Sequence, residues 1–264
     1  MTLSTPAPSG SPARPAGGGT AAPLPTRVLR HGAYEALAML RNGEQLVLAI
    51  VLPLLALTAL VLTPVLDSYG PDRIDIAAPG VLALCTMSTA FTGQGIATGF
   101  DRRYGVLRFL STTPLGRSGL ILGKAVAVAV VLAVQLVVIG GAAVLMGWTP
   151  EPAGILPAAL LLLLGSAAFT ALGLLVAGTL RPEATLAVTN LVWILLAAAG
   201  GVIIPAASLP AAAEPFVSVL PSAALGDGLR AALVDGVSDP IACLVLLAWA
   251  ALASLAAIRW FKWS

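Results

Sequence analysis

A chain of 264 residues that is 58% hydrophobic and only 10% charged, with a mean hydropathy of +0.98, is not composed like a water-soluble domain, which carries roughly 25% charged residues. It reads instead as an α-helical protein of the plasma membrane. A net charge of +2 gives no reason to expect nucleic-acid binding, and the basic residues are informative by position rather than by total.

Residues 1–26 are rich in Pro, Gly, Ala, Ser and Thr and hold one charge, Arg14. No apolar run followed by a small-residue cleavage site marks a secretory signal. So little can be buried here that a disordered cytoplasmic tail is expected. Over 27–45, Val28, Leu29, Ala33, Ala36, Leu37 and Leu40 recur at helical spacing among Arg27, Arg30, Glu35, Arg41 and Glu44. The pattern predicts a basic amphipathic helix lying in the membrane interface; a solvated helix preceding the membrane is the alternative.

Six apolar spans follow, near 46–66, 77–99, 120–147, 154–180, 185–204 and 240–260. Each has about twenty residues or more, enough at ~1.5 Å per residue to cross a hydrocarbon core of about 30 Å. On one side of this frame lie Arg14, Arg27, Arg30, Arg41, Arg102, Arg103, Arg108, Arg117, Lys124, Arg181, Arg259 and Lys262; on the other lie only Arg73 and Arg230. Basic residues stay inside, so both termini are expected in the cytoplasm. Trp148, Trp260 and Trp263 fall at span ends, where indoles favour the headgroup region. Cys85 and Cys243 read as buried free thiols rather than a disulfide. With His31 as the single histidine and no cluster of His, Cys, Asp or Glu at ligand spacing, no metal site is expected.

Two connections are too long to be simple turns. The inner one, 99–119, carries a charged run, then Val106, Leu107, Phe109 and Leu110, then a Thr113-Pro114 stop. This predicts a short amphipathic helix along the inner membrane face, ended by proline, where an ordinary positive loop is the simpler alternative. The outer one, 205–240, is apolar but broken by Pro205, Pro210, Pro215 and Pro221. It is expected to form a re-entrant or surface-lying hairpin over 205–221 and a short amphipathic helix near 222–235, covering the spans from outside.

The order Asp101-Arg102-Arg103-Tyr104-Gly105-Val106-Leu107, then Ser111-Thr112-Thr113-Pro114-Leu115, then Gly123-Lys124, resembles the cytoplasmic loop of ATP-binding-cassette type-2 permeases. Gly200-Gly201-Val202-Ile203-Ile204-Pro205, Leu209-Pro210, Leu220-Pro221 and Leu229-Arg230 resemble the same family's later segment. Asp101 stands where that family commonly has Glu, and Val106 where it has Thr or Ser. The resemblance covers roughly residues 27–262. It implies an all-α membrane protein of six spans with an N-terminal interfacial helix, a cytoplasmic coupling helix and an external re-entrant hairpin.

By that resemblance the inner helix docks into a separate ATPase subunit. Asp101, Arg102, Arg103, Tyr104, Gly105, Leu107, Arg108 and Pro114 form the coupling segment, with Asp101 free to pair with a basic residue of 27–45 or of the ATPase. ATP and magnesium would bind that partner, and this chain would hold no cofactor. Its only Gly-Lys, Gly123-Lys124, is followed by Ala125, and Ser118 stands at the first glycine position, so no phosphate-binding loop is formed. A second permease copy or a sister permease completes the expected assembly.

Polar residues within the spans are few: Thr86, Ser88, Thr89, Thr92, Gln94, Gln135, Thr185, Thr189 and Asn190, with Gly95 and Gly99 at close-packing spacing. Inter-helix hydrogen bonding explains most of them. The resemblance implies a substrate path between the second and fifth spans, to which Thr89, Gln94, Asn190 and Trp193 are assigned. No ionisable residue lies near a span centre, which disfavours a proton- or sodium-coupled carrier and favours an apolar or amphipathic substrate such as a drug-like molecule or lipid. An integral membrane enzyme or an assembly factor acting on lipids is the competing class, and it would need clustered acidic or His residues at the membrane face.

Overall fold

The structure, a computed structural model, describes residues 22–70 and 72–260. The expected tail therefore lies outside the described residues up to position 21, and so do Arg14, Lys262 and Trp263. All regular structure among the described residues is helical.

Helix α1 (Leu24–Arg41) begins three residues before the amphipathic stretch expected from 27. Its side chains sort into three stripes. Val28, Gly32 and Ala36 are buried against a later helix, Leu29, Ala33 and Leu37 form an exposed apolar stripe, and Arg30, Tyr34 and Arg41 form an exposed polar one. The chain then makes two long rods, each broken by a π-helical segment. The first is α2 (Gly43–Leu46), π1 (Val47–Val51) and α3 (Leu52–Leu62); the second is α4 (Arg73–Met87), π2 (Ser88–Gly93) and α5 (Gln94–Arg103). A short helix α6 (Val106–Ser111) precedes α7 (Gly116–Leu145), α8 (Ile155–Thr179) and α9 (Pro182–Ala199). The chain closes with α10 (Glu214–Val217), α11 (Pro221–Leu233) and α12 (Pro240–Trp260).

Five stretches are long and apolar enough to cross a bilayer: Arg73–Arg103, Gly119–Leu145, Pro152–Thr179, Pro182–Ala199 and Pro240–Trp260. The remaining expected span, 46–66, corresponds to a shorter apolar helix, Val47–Leu62. The second rod continues to Arg103, so Asp101, Arg102 and Arg103 are helical rather than part of a loop. Gly105, at φ +72°, ends that run because only glycine adopts the left-handed turn cheaply.

Helix α4 is enclosed on all sides, with every residue from Ile76 to Met87 buried. It packs against α3, α7, α8 and α11 and forms the centre of the bundle. Around it the chain divides into two groups. Helix α1 lies along α7, while α5 lies along α8 and α9, with α12 and α11 also packed on α8. Small residues set these contacts. Gly95 meets Gly173 and Thr189, Gly99 meets Thr185, and Gly32 meets Val126 and the Gly123 carbonyl.

Helix α11 departs most from expectation. Eleven of its residues are buried, so it is a wedge among α4, α8 and α12 rather than an amphipathic surface helix. Helix α9 stops at Ala199, not 204. Gly200 and Gly201 (φ +72°) turn the chain, and the carbonyls of Gly201, Val202 and Ile203 accept hydrogen bonds from Arg230 at 3.0, 3.0 and 3.1 Å. Asp227 Oδ1 holds the same guanidinium at 2.6 Å. Trp148, expected among headgroups, is 4% exposed and belongs to the core, whereas Trp260 is exposed as expected. Cys85 and Cys243 are both free.

The Gly173 contact gives a direct test. A Cβ at Gly173 would stand 2.6 Å from the Phe91 carbonyl oxygen, whereas one at Gly140 meets open space. Gly173→Val should therefore lower the melting temperature of the detergent-purified protein, with an overpacking cost of about 1–3 kcal/mol. Gly140→Ala should leave it equal or higher. Differential scanning fluorimetry of both variants checks this.

Candidate functional site: the basic loop and the adjoining cavity

At the end of the bundle where α5 gives way to α6, three elements meet on one ammonium. Lys124 of α7 is 3% exposed, and its Nζ lies 3.1 Å from Asp101 Oδ2 on α5 and 3.2 Å from Glu35 Oε1 on α1. His31 Nε2 stands 3.1 Å from the same Glu35 oxygen. Asp101 thus pairs within the chain with the lysine of the Gly-Lys pair, and not with a basic residue of 27–45. What α1 contributes is an acid. Burial raises the Glu35 carboxyl, but the contacts from His31 and Lys124 outweigh it and hold the group below its ordinary value of 4.5.

The neighbouring arginines are also engaged within the chain. Arg102 donates to the carbonyls of Ala177 and Leu180 at 2.8 and 2.5 Å, closing the C-terminal end of α8. Arg103 pairs with Glu183 at the start of α9. Arg103 stays exposed in this pair, and aromatic residues share its surface. Tyr104 is 72% exposed and stacks on Phe100, with ring centroids 6.2 Å apart. In α6, Leu107 points into the bundle at 1% exposed, while Val106 and Phe109 face out, the latter 69% exposed. Arg108 and Pro114 are exposed, Pro114 in the turn leading to α7. The sequence places Phe109 only in an apolar stripe, because a six-residue helix is too short to tell an inward from an outward apolar residue.

Beside this cluster lies a cavity of about 570 Å³. One wall is the end of α1 with α2 and π1 (Met39, Leu40, Asn42, Gln45, Leu48, Ala49). The other is π2 and α5 with α9 (Ser88, Thr89, Thr92, Ile96, Phe100, Leu186, Asn190), and Val131, Val134 and Gln135 of α7 close the back. None of these described lining residues is ionisable. Both π segments face the space, as such interruptions of helices often do at functional sites.

Gln135 joins them. It is 1% exposed, donates from Nε2 to the Ala49 carbonyl of π1 at 2.7 Å, and accepts from Thr89 Oγ1 of π2 at 3.0 Å.

Of the four residues assigned to a substrate path, Thr89 and Asn190 line the cavity. Gln94 is buried beside it, with Nε2 3.8 Å from the Met39 sulfur. Trp193 is outside the lining and half-buried, packed against the core. The sequence shows Gln135 as a polar residue within a span and gives it no part in the path. Its role depends on π segments, which leave no periodicity signal in the sequence.

Five helices long and apolar enough to cross a bilayer, packed in one bundle, suit a multi-pass membrane protein. The chain belongs to the ABC-2 type transporter family, whose model matches residues 31–234. That family is a membrane transport component and not itself the ATPase. No curated protein matches the sequence.

Two tests follow from this geometry. Gln135→Leu frees the Ala49 carbonyl and the Thr89 hydroxyl at once and should cost about 1–3 kcal/mol; urea or thermal unfolding in detergent measures it. Glu35, with a folded pKa below its unfolded one, contributes fully above its ordinary value and loses that contribution as pH falls through the lower folded value. Amide exchange over 28–40 should therefore speed up selectively as pH drops below 4.5 once corrected for intrinsic rates, and Glu35→Gln should abolish that dependence.

Proposed function

We propose that this chain is the permease of an ATP-driven exporter of the bacterial plasma membrane, moving a neutral apolar or amphipathic molecule, drug-like or lipid, and powered by a separate cytoplasmic ATPase. Family membership supports the class. The observation that carries the coupling role is the α6 segment, anchored by Leu107 and presenting Tyr104 and Phe109 outward. A buried anchor with exposed aromatics is the build of a docking knob. The partner's cleft is accordingly apolar and aromatic at its centre, with the exposed Arg103 and Arg108 beside it.

In this reading Val47–Leu62 with its flanking turns is a sixth span, the basic end faces the cytoplasm with both termini, and residues 205–221, which include α10, form the external re-entrant hairpin that leads into α11. ATP and magnesium act on the partner. Helix α9 exposes Leu186, Leu191, Ile194 and Leu195, which suits contact with a second permease copy. The cavity between π2, α5 and α9 holds Thr89 and Asn190 on the substrate's route. Its polar amides and hydroxyls beside aliphatic walls suit a molecule with a neutral polar head and an apolar body. The competing class, a lipid-acting enzyme, gains no support here, because Glu35 and Asp101 are both committed to Lys124.

Affinity purification from the native host should capture an ABC ATPase. Tyr104→Ala and Phe109→Ala should each lower that capture by about tenfold or more, as loss of an aromatic hot spot does, while Leu29→Ala should not. Capture that is unchanged in both variants, or absent from the wild type, overturns the coupling assignment.

A further inference from the structure

The cavity lies between two polar ties that join the two helix groups. At the basic end, Asp101 of the α5 group is held by Lys124 of the α1–α7 group. Deeper in the bundle, Thr89 of π2 is held by Gln135 of α7. These ties are eleven residues apart on α7, roughly 16 Å at ~1.5 Å per residue. The cavity residues of π2 and α5 run from Ser88, beside the deeper tie, to Phe100, beside the one at the basic end.

Lys124 has a second ion pair, and it reaches α1. Glu35 precedes Met39 by one helical turn, and Met39, Leu40 and Asn42 are the cavity's outer wall. A displacement at the end of α5 therefore has a continuous path: Asp101 to Lys124, Lys124 to Glu35, and Glu35 along α1 to Met39. The path is stiff for a physical reason. Lys124 is 3% exposed, so water is not at hand to replace either carboxylate, and both are held by charge-assisted hydrogen bonds, which resist stretching more than neutral contacts do.

We propose that Lys124 is a positioning residue whose paired ion bridges make the width of the cavity follow the 104–115 loop. The proposal rests on the exporter reading for what moves the loop, but the mechanical link is a property of this chain alone. Without Lys124 the loop can still dock and move, and the α1 wall no longer follows. The resting cavity then has no fixed width.

The test uses the full chain in lipid nanodiscs, in a Cys85→Ser, Cys243→Ser background. Spin labels at Ala38 on α1 and Ala187 on α9, both exposed, report the distance across the cavity. Labels at Ala187 and Ser254, also exposed, report within the other group. Wild type should give one narrow cross-cavity distribution. Lys124→Met should broaden or shift it by about a helical turn, roughly 5 Å, and leave the control pair unchanged; Lys124→Arg should restore the narrow distribution. If Lys124→Met does not yield a monodisperse protein, Glu35→Gln carries the same prediction. A cross-cavity distance that stays narrow and unshifted in the variants overturns the proposal, as does an equal change in the control pair.

A second arm adds the copurified ATPase in proteoliposomes loaded with a neutral amphiphilic dye. Lys124→Met should keep ATP hydrolysis within about twofold of wild type and lower dye transport per ATP at least tenfold, with Lys124→Arg recovering it. Equal loss of both activities overturns the positioning role. If wild type shows no ATP-dependent transport and captures no ATPase, the exporter reading fails, and the distance measurement still decides the tether.

Discussion

A carbonyl released from a helix inside an apolar bundle must find a donor, and this chain has very few donors to offer. That constraint arranges the molecule. Where α8 ends, Arg102 takes the carbonyls of Ala177 and Leu180. Where α9 ends, Arg230 takes those of residues 201–203. Where π1 interrupts the first rod, Gln135 takes that of Ala49. Leaving such a group unmet costs several kcal/mol in a medium without water, so each of these side chains is committed before any function is considered.

The commitments explain which residues remain to face a partner or a ligand. Asp101, Arg102 and Arg103 bind the bundle together at the basic end, and Tyr104 and Phe109 are the outward aromatics of the loop, beside the exposed Arg108. Thr89 and Gln135 satisfy each other within the cavity wall, and Asn42, Gln45 and Asn190 are the other amides of the lining. In a chain that is 10% charged, the same few polar residues that hold the bundle together also border the loop and the cavity.

Much of the frame was legible because it depends on composition. Runs of about twenty apolar residues place helices whatever their partners, and the helices at 73–103, 119–145, 152–179, 182–199 and 240–260 fall where such runs do. What could not be read was direction. Arg230 stood in a segment that looked like an outer loop, yet its guanidinium points into the bundle. Lys124 looked like a basic residue at the mouth of a span and is instead enclosed by two acids from distant parts of the chain. The π segments escaped for a related reason: a single inserted residue in a helix alters which carbonyls are free without altering the apolar pattern. Trp148 shows the limit of positional rules, since a span-end indole is as well placed for the core as for headgroups.

Helix α11 also bears on how the protein is made. The end of α9 emerges from the ribosome some thirty residues ahead of Arg230 and has no donor for its three turned carbonyls until that arginine arrives. The slot that α11 fills between α4 and α8 must likewise stay vacant through synthesis and then admit a buried cation. Closure of the turn after α9 therefore comes later than the insertion of α9 itself, and it waits on a thirteen-residue helix.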